Sequence, residues 1–316
     1  MPFIAANGMT EEETSRTVQA LGTTIHYHEM GEGYPIILMH SFGPGTTAWI
    51  TWYKVIAEFA KHFRVIAIDL PNFAKTGPVV LDENTHSFQA KMALHLMDAL
   101  GIEKAHFVGN SQGGQSSMAF AYHNPDRINK LVWGAGHIGT NGGYRNEYLI
   151  SNYPEEGVKA AGLASREPTR ENFKKYLDLQ VCDTDLITDE VIDYIMGMHT
   201  GRADLVEMRG RTLGRPNPYD HSDAMINIKC PTLIVWGRQD RTCTFEIGIN
   251  SLNIISNSQL VVIREASHWV PFEKPRQYAK HVLAFLKDDD DLSIADEPDH
   301  TAMHEKWKIQ PSSHLD

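Results

Sequence analysis

The chain has 316 residues, of which 42% are hydrophobic and 22% are charged, which is enough apolar material for a large domain with a sizeable core. Its net charge of −11 makes nucleic acid and anionic membrane surfaces poor partners. Three widely spaced cysteines, a start that does not read as a signal peptide and no apolar run long enough to span a membrane predict a cytoplasmic protein.

Short apolar segments alternate with helix-like segments along most of the chain. In chain order, TIHYHEMG predicts a hairpin arm, and PIILMH, FRVIAIDL, AHFVGN, KLVWGAG, TLIVWG and QLVVI predict strands. Helical spacing of apolar residues marks SFQAKMALHLMDALGI and QSSMAFAYHN between them. Continuously apolar strands that alternate with helices predict an α/β fold with a mostly parallel central sheet flanked by helices.

The alternation stops between about residues 137 and 218. There PEEGVKAAGLA, TRENFKKYLDLQV and TDEVIDYIMGMH follow one another as predicted helices with no strand between them. A helical block inside an α/β alternation indicates an inserted cap. The predicted domains are the first part of the core at 1–136, the helical cap at 137–218, the second part of the core at 219–290 and an acidic, solvated C-terminal tail at 291–316.

The segment GNSQGG directly follows the predicted strand AHFVGN. Its residues Gly109–Gly113 fit the pattern G-x-S-x-G, in which a strand reverses sharply into a helix and exposes the serine hydroxyl at the sheet edge. The pattern predicts that Ser111 is a nucleophile. A glycine turn around an inert serine is the alternative.

A serine hydroxyl needs a general base, and the base needs an orienting acid. Asp240 follows the predicted strand TLIVWG, and His268 follows QLVVI. The order serine, acid, histidine, each after its own strand, predicts a catalytic triad of Ser111, Asp240 and His268.

Stabilising an oxyanion requires two backbone N–H donors. One is expected from Gln112, the residue after the nucleophile, and the other from Phe42 in the loop HSFGPG, with Ser41 as a nearby alternative. These residues could instead only shape the loop. His40 is interpreted as an organiser of the loop rather than as a second base.

On these motifs the chain resembles the α/β-hydrolase superfamily, and within it the meta-cleavage product hydrolases, which split C–C bonds in ring-opened aromatics. The similarity covers most of residues 20–287 and includes HSFGPGTTAW, GNSQGG, PTLIVWGRQDR and SHW. It implies a triad of Ser111, Asp240 and His268. It also implies a polar role at the substrate for Asn110 and a pocket wall formed by Trp269 and the cap.

The predicted pocket residues also include Ser41 and Gly43 in the loop HSFGPG, and the chain departs from that family at Ser41 and at several other positions. Ile195 stands where the family usually places a cap arginine that holds the substrate's carboxylate. Ser41 replaces a glycine, Gln112 replaces an apolar residue, and DLPNFAKTG lacks two of the family's glycines. Loss of the arginine removes a charge-assisted pair, so Ile195 is expected to form an apolar wall.

The sequence therefore predicts a serine hydrolase that cleaves a carbonyl-centred bond, with a carboxylic ester or lactone as the expected substrate. A C–C hydrolase of ring-cleavage products is the alternative, and Arg202 or Arg209 reaching the pocket would favour it. A hydrolase-like ligand receptor is the second alternative. The expected partner is a small-molecule substrate, without metal or cofactor, and assembly into a homo-oligomer is left open.

Overall fold

The computed structural model describes residues 3–81, 83–138, 156–213 and 222–287. The strands of its single sheet are β1 Ser15–Ala20, β2 Thr23–Met30, β3 Pro35–Met39, β4 Arg64–Ile68, β5 Ala105–Asn110, β6 Ile128–Gly134, β7 Thr232–Gly237 and β8 Ser258–Ile263. Within the described residues no helix is long and apolar enough to cross a membrane.

The described helices lie before, between and after these strands. They are α1 Glu11–Thr14, α2 Ala48–Trp52, α3 Ile56–Phe59, α4 Thr85–Ala99, α5 Gln112–His123, α6 Glu156–Arg166, α7 Arg170–Asp178, α8 Asp189–Thr200, α9 Ala203–Leu213, α10 Ser222–Met225, α11 Glu246–Ile254, α12 Val270–Glu273 and α13 Pro275–Lys287. Single 3-10 turns add Pro125–Arg127 and Thr184–Leu186.

The strand order is β1-β2-β4-β3-β5-β6-β7-β8. β2 runs antiparallel to both β1 and β4, and the pairs from β4 through β8 are parallel. The predicted hairpin arm and the mostly parallel sheet are therefore confirmed. In a parallel sheet the carboxyl ends of the strands meet at one edge, where ligands bind.

Apolar side chains pack on both faces of the sheet. In β3, Ile37 and Met39 belong to the cluster that includes α4 and α5, whereas Ile36 and Leu38 belong to the cluster that includes α2, α3 and α13. Burial on both faces explains why the strands are continuously apolar in sequence rather than alternating.

Between β6 and β7 the described residues form helices and no strand. Helices α6, α7 and α8 coincide with the three helices predicted for the cap. Their apolar cluster, which contains Phe173 and Ile195, continues into the core through Trp269 and Phe272. The predicted boundary at 218 and the tail at 291–316 lie outside the described residues.

Candidate active site

Ser111 occupies the sharp turn between β5 and α5. Its backbone has φ 57° and ψ −122°, a conformation that a non-glycine residue adopts only under strain. Close packing enforces the turn, because a Cβ atom on Gly113 would lie 2.0 Å from the carbonyl oxygen of Met39. Ser111 therefore has the backbone geometry predicted for a nucleophile. Its hydroxyl makes no hydrogen bond with any described residue.

Asp240 and His268 lie in the loops after β7 and β8. His268 Nδ1 is 2.9 Å from Asp240 Oδ2 and 3.1 Å from Oδ1. Asp240 Oδ1 also accepts hydrogen bonds from the backbone amides of Thr242 and Cys243, at 2.8 and 2.9 Å. The carboxylate fixes the orientation of the imidazole and places the proton on Nδ1, which leaves Nε2 as the proton acceptor.

Asn110 joins the loops that carry the predicted site residues. Its side-chain amide donates to Ser41 Oγ at 2.7 Å and to the backbone carbonyl of His268 at 3.3 Å. The residue before Ser111 is thus bonded both to the loop after β3 and to the base. Since the amide hydrogens are used within the protein, these contacts support a role for Asn110 in organising the site.

The predicted oxyanion-hole residues line a common cavity. The backbone amides of Phe42 and Gln112 donate to no described residue, so both remain available to an incoming oxygen. The other residues that line the cavity are Pro71, Phe73, Leu81, Thr85, Gln89 and Arg209. A larger groove, between α6 and α7, includes none of the predicted site residues.

His40 organises the loop that carries Phe42, as the sequence predicted. Its Nδ1 donates to the Ser41 carbonyl at 2.7 Å, and its Nε2 accepts from the backbone amide of Leu70 at 2.9 Å. Burial lowers the pKa of His40 to about 4, so the ring is neutral near pH 7. A neutral ring suits one donated and one accepted hydrogen bond.

The predicted pocket residues of the cap side lie in an apolar layer. Ile195 is fully buried and shares a cluster with Trp269. The backbone of α8 comes so close to the loop after β3 that a Cβ atom on Gly45 would lie 1.8 Å from the Ile195 carbonyl oxygen. Gly43 lies beside the hydroxyl of Tyr176, a contact that the sequence did not indicate.

Arg209 of α9 reaches the oxyanion-hole cavity from the cap. Its guanidinium donates to the backbone carbonyl of Asn72 at 2.5 Å and stacks on the ring of Phe73, 4.4 Å from the centroid. Burial lowers the pKa of Arg209 to about 10, so it remains a cation at neutral pH. From sequence it could not be distinguished from Arg202 as the cation of the pocket.

Glu273 joins the base loop to the cap, a role that sequence reasoning missed. Its Oε1 accepts from the backbone amides of Cys182 and Asp183 at 2.6 and 2.9 Å, and its Oε2 accepts from that of Ser267 at 2.8 Å. Ser267 precedes His268, so this carboxylate fixes the base relative to the cap. The segment REASHWVPFEKP carries no local signal for contacts with a segment almost a hundred residues earlier.

A buried cluster of His26, His28 and Asp69 has the composition of a metal site, with ligand atoms within 4.8 Å of one another. The same atoms already form hydrogen bonds. His26 bonds to Asp69 Oδ2 and to Ser15 Oγ, both at 2.6 Å, and His28 bonds to Thr14 Oγ1 at 3.0 Å. Burial opposes ionisation of Asp69, but the hydrogen bond and charge of His26 lower its pKa below the usual range. We interpret the cluster as a hydrogen-bonded network.

Comparison with known proteins agrees with this geometry. The profile of the alpha/beta hydrolase fold family matches residues 34–275. A 2-hydroxy-6-oxononadienedioate/2-hydroxy-6-oxononatrienedioate hydrolase of Burkholderia vietnamiensis is 34% identical over 286 residues, which cover 88% of this chain and 97% of the relative. The hydrolase of the same name from Escherichia coli O81 is 35% identical over 285 residues, with the same coverage.

A solved structure shows the same similarity. A mutant of CumD, a meta-cleavage product hydrolase from Pseudomonas fluorescens IP01 complexed with acetates, has a TM-score of 0.77 and 26% identity over 88% of this chain and 99% of its own. The fold and the sequence together identify this chain as an enzyme, and it belongs to the α/β hydrolase family. The resemblance to the meta-cleavage product hydrolases within that family is also confirmed.

Proposed function

We propose that this enzyme hydrolyses a carbon–carbon bond in a ring-opened aromatic product, a 2-hydroxy-6-oxo-dienoate. The observation that carries the proposal is the 34% identity to a 2-hydroxy-6-oxononadienedioate hydrolase across 97% of that relative. The position of Arg209 at the cavity supports the same choice, because a dienoate bears a carboxylate that a neutral ester or lactone lacks.

The proposed reaction begins with a proton shift in the substrate. The proton of the 2-hydroxyl moves to C5, which turns the dienol into an enone conjugated with the 2-oxo group. Ser111 Oγ then attacks the C6 carbonyl carbon, and His268 Nε2 takes the serine proton. Asp240 stabilises the resulting imidazolium, and the amides of Phe42 and Gln112 donate hydrogen bonds to the oxyanion.

Collapse of the tetrahedral intermediate breaks the bond between C5 and C6. The electron pair of that bond passes into the enone, and the resulting dienolate takes a proton and leaves as a 2-hydroxydienoate. The other half remains as an ester of Ser111. Water then attacks this ester while His268 accepts its proton, and release of a carboxylic acid restores the serine.

Ester or lactone hydrolysis is the second candidate, and Ile195 favours it. This apolar residue is fully buried at the position where the family's carboxylate-binding arginine is expected. The same triad would attack an ester carbonyl, with an alkoxide rather than a dienolate as leaving group. A ligand receptor with an idle triad is the remaining alternative, and measured turnover would exclude it.

The test compares substrates on the purified full-length enzyme. We expect the highest kcat/KM on 2-hydroxy-6-oxonona-2,4-dienedioate, measured by loss of the dienol absorbance and by mass spectrometry of both products. Aryl esters and lactones are assayed in parallel, and Ser111→Ala controls for uncatalysed decay. Efficient turnover of an ester or lactone without cleavage of the dienedioate would overturn the proposal.

A further inference from the structure

The cavity beside the oxyanion-hole residues is lined by a single charged side chain among the described residues, Arg209. The rest of the lining is apolar or uncharged, with Phe42 and Phe73 on one side and Gln89 and Gln112 among the polar members. Arg209 is half-buried in this setting, and the part of its charge that is shielded from water is costly unless an anion compensates it.

No described carboxylate pairs with Arg209. Its polar contacts within the described chain are the Asn72 carbonyl at 2.5 Å and His199 Nδ1 at 3.5 Å. Burial lowers the pKa of His199, which favours the neutral ring, and a histidine ring supplies no negative charge in either protonation state. Most of the N–H donors of the guanidinium therefore have no acceptor among these residues.

Arg202, at the start of the same helical segment, is held differently. It donates to the Ala74 carbonyl at 3.0 Å, much as Arg209 donates to Asn72, but its Nε and Nη2 also bind the two carboxylate oxygens of Asp204 at 3.0 and 2.9 Å. Both arginines hold the loop after β4, and only one of the two has a described counter-charge. A role in holding this loop therefore does not explain why Arg209 has no counter-charge among the described residues.

The same cavity has an unused acceptor. Gln112 Oε1 is buried and finds no hydrogen-bond partner among the described residues. The cavity measures about 20 Å³, which is room for little more than one water molecule, so the side chains around it must move apart to admit a ligand. A carboxylate next to a hydroxyl group would then give Arg209 two acceptor oxygens and Gln112 one donor. Arg–carboxylate pairs of this kind are bidentate and strong in surroundings poor in water.

We propose that Arg209 binds a carboxylate of the substrate from α9, so that the carboxylate is held beside the oxyanion hole rather than next to residue 195 on α8. The inference rests on the proposed function for the identity of the acid, a 2-hydroxydienoate. In this proposal Arg209 determines the preference for acidic substrates, and it takes no part in proton transfer.

The first experiment measures binding without turnover. Benzoate and its neutral isostere benzamide are titrated calorimetrically into the wild type, Arg209→Gln, Arg209→Lys and the matched control Arg202→Gln. We expect the wild type to prefer benzoate, and Arg209→Gln to lose about 10- to 100-fold of that preference, since a hydrogen-bonded charge is removed. Arg202→Gln should keep it, and Arg209→Lys should fall between because it keeps charge without the bidentate fork.

The second experiment measures kinetics on the dienedioate. Arg209→Gln should raise KM by more than it lowers kcat, whereas a general structural defect would change the melting temperature and the benzamide affinity as well. Two results would overturn the inference: a wild type without preference for benzoate, or equal losses in Arg209→Gln and Arg202→Gln. A wild type that prefers benzoate but does not cleave the dienedioate would refute only the proposed function. Dienedioate cleavage with an unchanged KM in Arg209→Gln would refute only the carboxylate site.

Discussion

The candidate site has two halves that are held in different ways. The acid–base half is the loop region of Asp240 and His268, and the oxyanion half is the region of Phe42 and Gln112. On the acid–base side, the carboxylates of Asp240 and Glu273 accept five backbone amide hydrogen bonds, two at Asp240 and three at Glu273. The amide of Trp269 donates to the Gln180 carbonyl at 2.9 Å. The bonds of Glu273 and Trp269 tie the loop that carries His268 to the segment 180–183, although the buried Trp269 Nε1 finds no partner among the described residues.

The oxyanion half leaves polar groups open. The amides of Phe42 and Gln112 donate to no described residue, and buried Gln112 Oε1 and Gln115 Nε2 find no partner within the described chain. Arg209, which pairs with no described carboxylate, adds a positive charge to the same side. We propose that the loops of Asp240 and His268 hold the proton-transfer groups and that the side with Phe42, Gln112 and Arg209 binds the substrate.

The largest expected effect comes from the chemistry that joins the two halves. Ser111→Ala and His268→Ala should each lower kcat about ten-thousandfold or more, and the double variant should lose little beyond either single change. Ser251→Ala is the matched control, because among the described residues the hydroxyl of this buried serine donates to one carbonyl of its own helix, Ile247 O at 2.7 Å. Nearly full activity in Ser111→Ala would show that the serine is not the nucleophile.

The second effect concerns the apolar cluster that contains Ile195 and Trp269. Ile195→Arg should destabilise the protein by more than about 3 kcal/mol, because it buries a charge without a partner, and Ile195→Leu should cost far less. Urea denaturation measures both. An Ile195→Arg protein of wild-type stability with tighter carboxylate binding would mean that the substrate reaches α8, and the inference about Arg209 would then need revision.

The third effect tests the bond between the base and the cap. Glu273→Gln replaces an acceptor oxygen with an amide that faces a backbone N–H, so at least one of three hydrogen bonds is lost. We expect a loss of about 2 kcal/mol in stability and a lower kcat with little change in KM, because His268 is displaced rather than the substrate. Exposed Glu265, in the loop that carries His268, supplies the control Glu265→Gln. A changed KM with unchanged kcat would contradict a positioning role.

Local patterns in the sequence predicted the sheet, helices α6, α7 and α8, and the loops in which Ser111, Asp240 and His268 lie. Strand burial, the elbow at Ser111 and the order of Asp240 and His268 depend on short segments whose geometry follows from their own composition. The missing glycines of DLPNFAKTG were also visible in sequence. The structure shows that Asn72 and Ala74 in this loop adopt positive φ values of 63° and 46°, which cost strain in residues other than glycine.

Contacts between distant segments could not be predicted in this way. The Glu273 carboxylate accepts hydrogen bonds from backbone amides about ninety positions earlier in the chain. No residue type or spacing in the sequence predicts such a contact. The sequence alone does not show which of Arg202 and Arg209 lies at the cavity. The carboxylate of Asp204 beside one and the cavity beside the other distinguish them, and both are features of the folded chain.

The last effect is a pH dependence of stability that belongs to the loop held by His40. Burial lowers the folded-state pKa of His40 to about 4, against about 6.5 in an unfolded chain. Between these values the unfolded state binds more protons, so the contribution of His40 is fully present above pH 6.5 and is lost as the pH falls toward 4. At pH 5 the loss should be about 2 kcal/mol. Urea denaturation at pH 7 and 5 should show a smaller difference in His40→Gln than in the wild type, and an unchanged one in His62→Gln, where the histidine is exposed. Equal pH dependence in all three proteins would mean that protonation of His40 does not destabilise the fold. The hydrogen bonds of the His40 ring would then not hold the loop that carries Phe42.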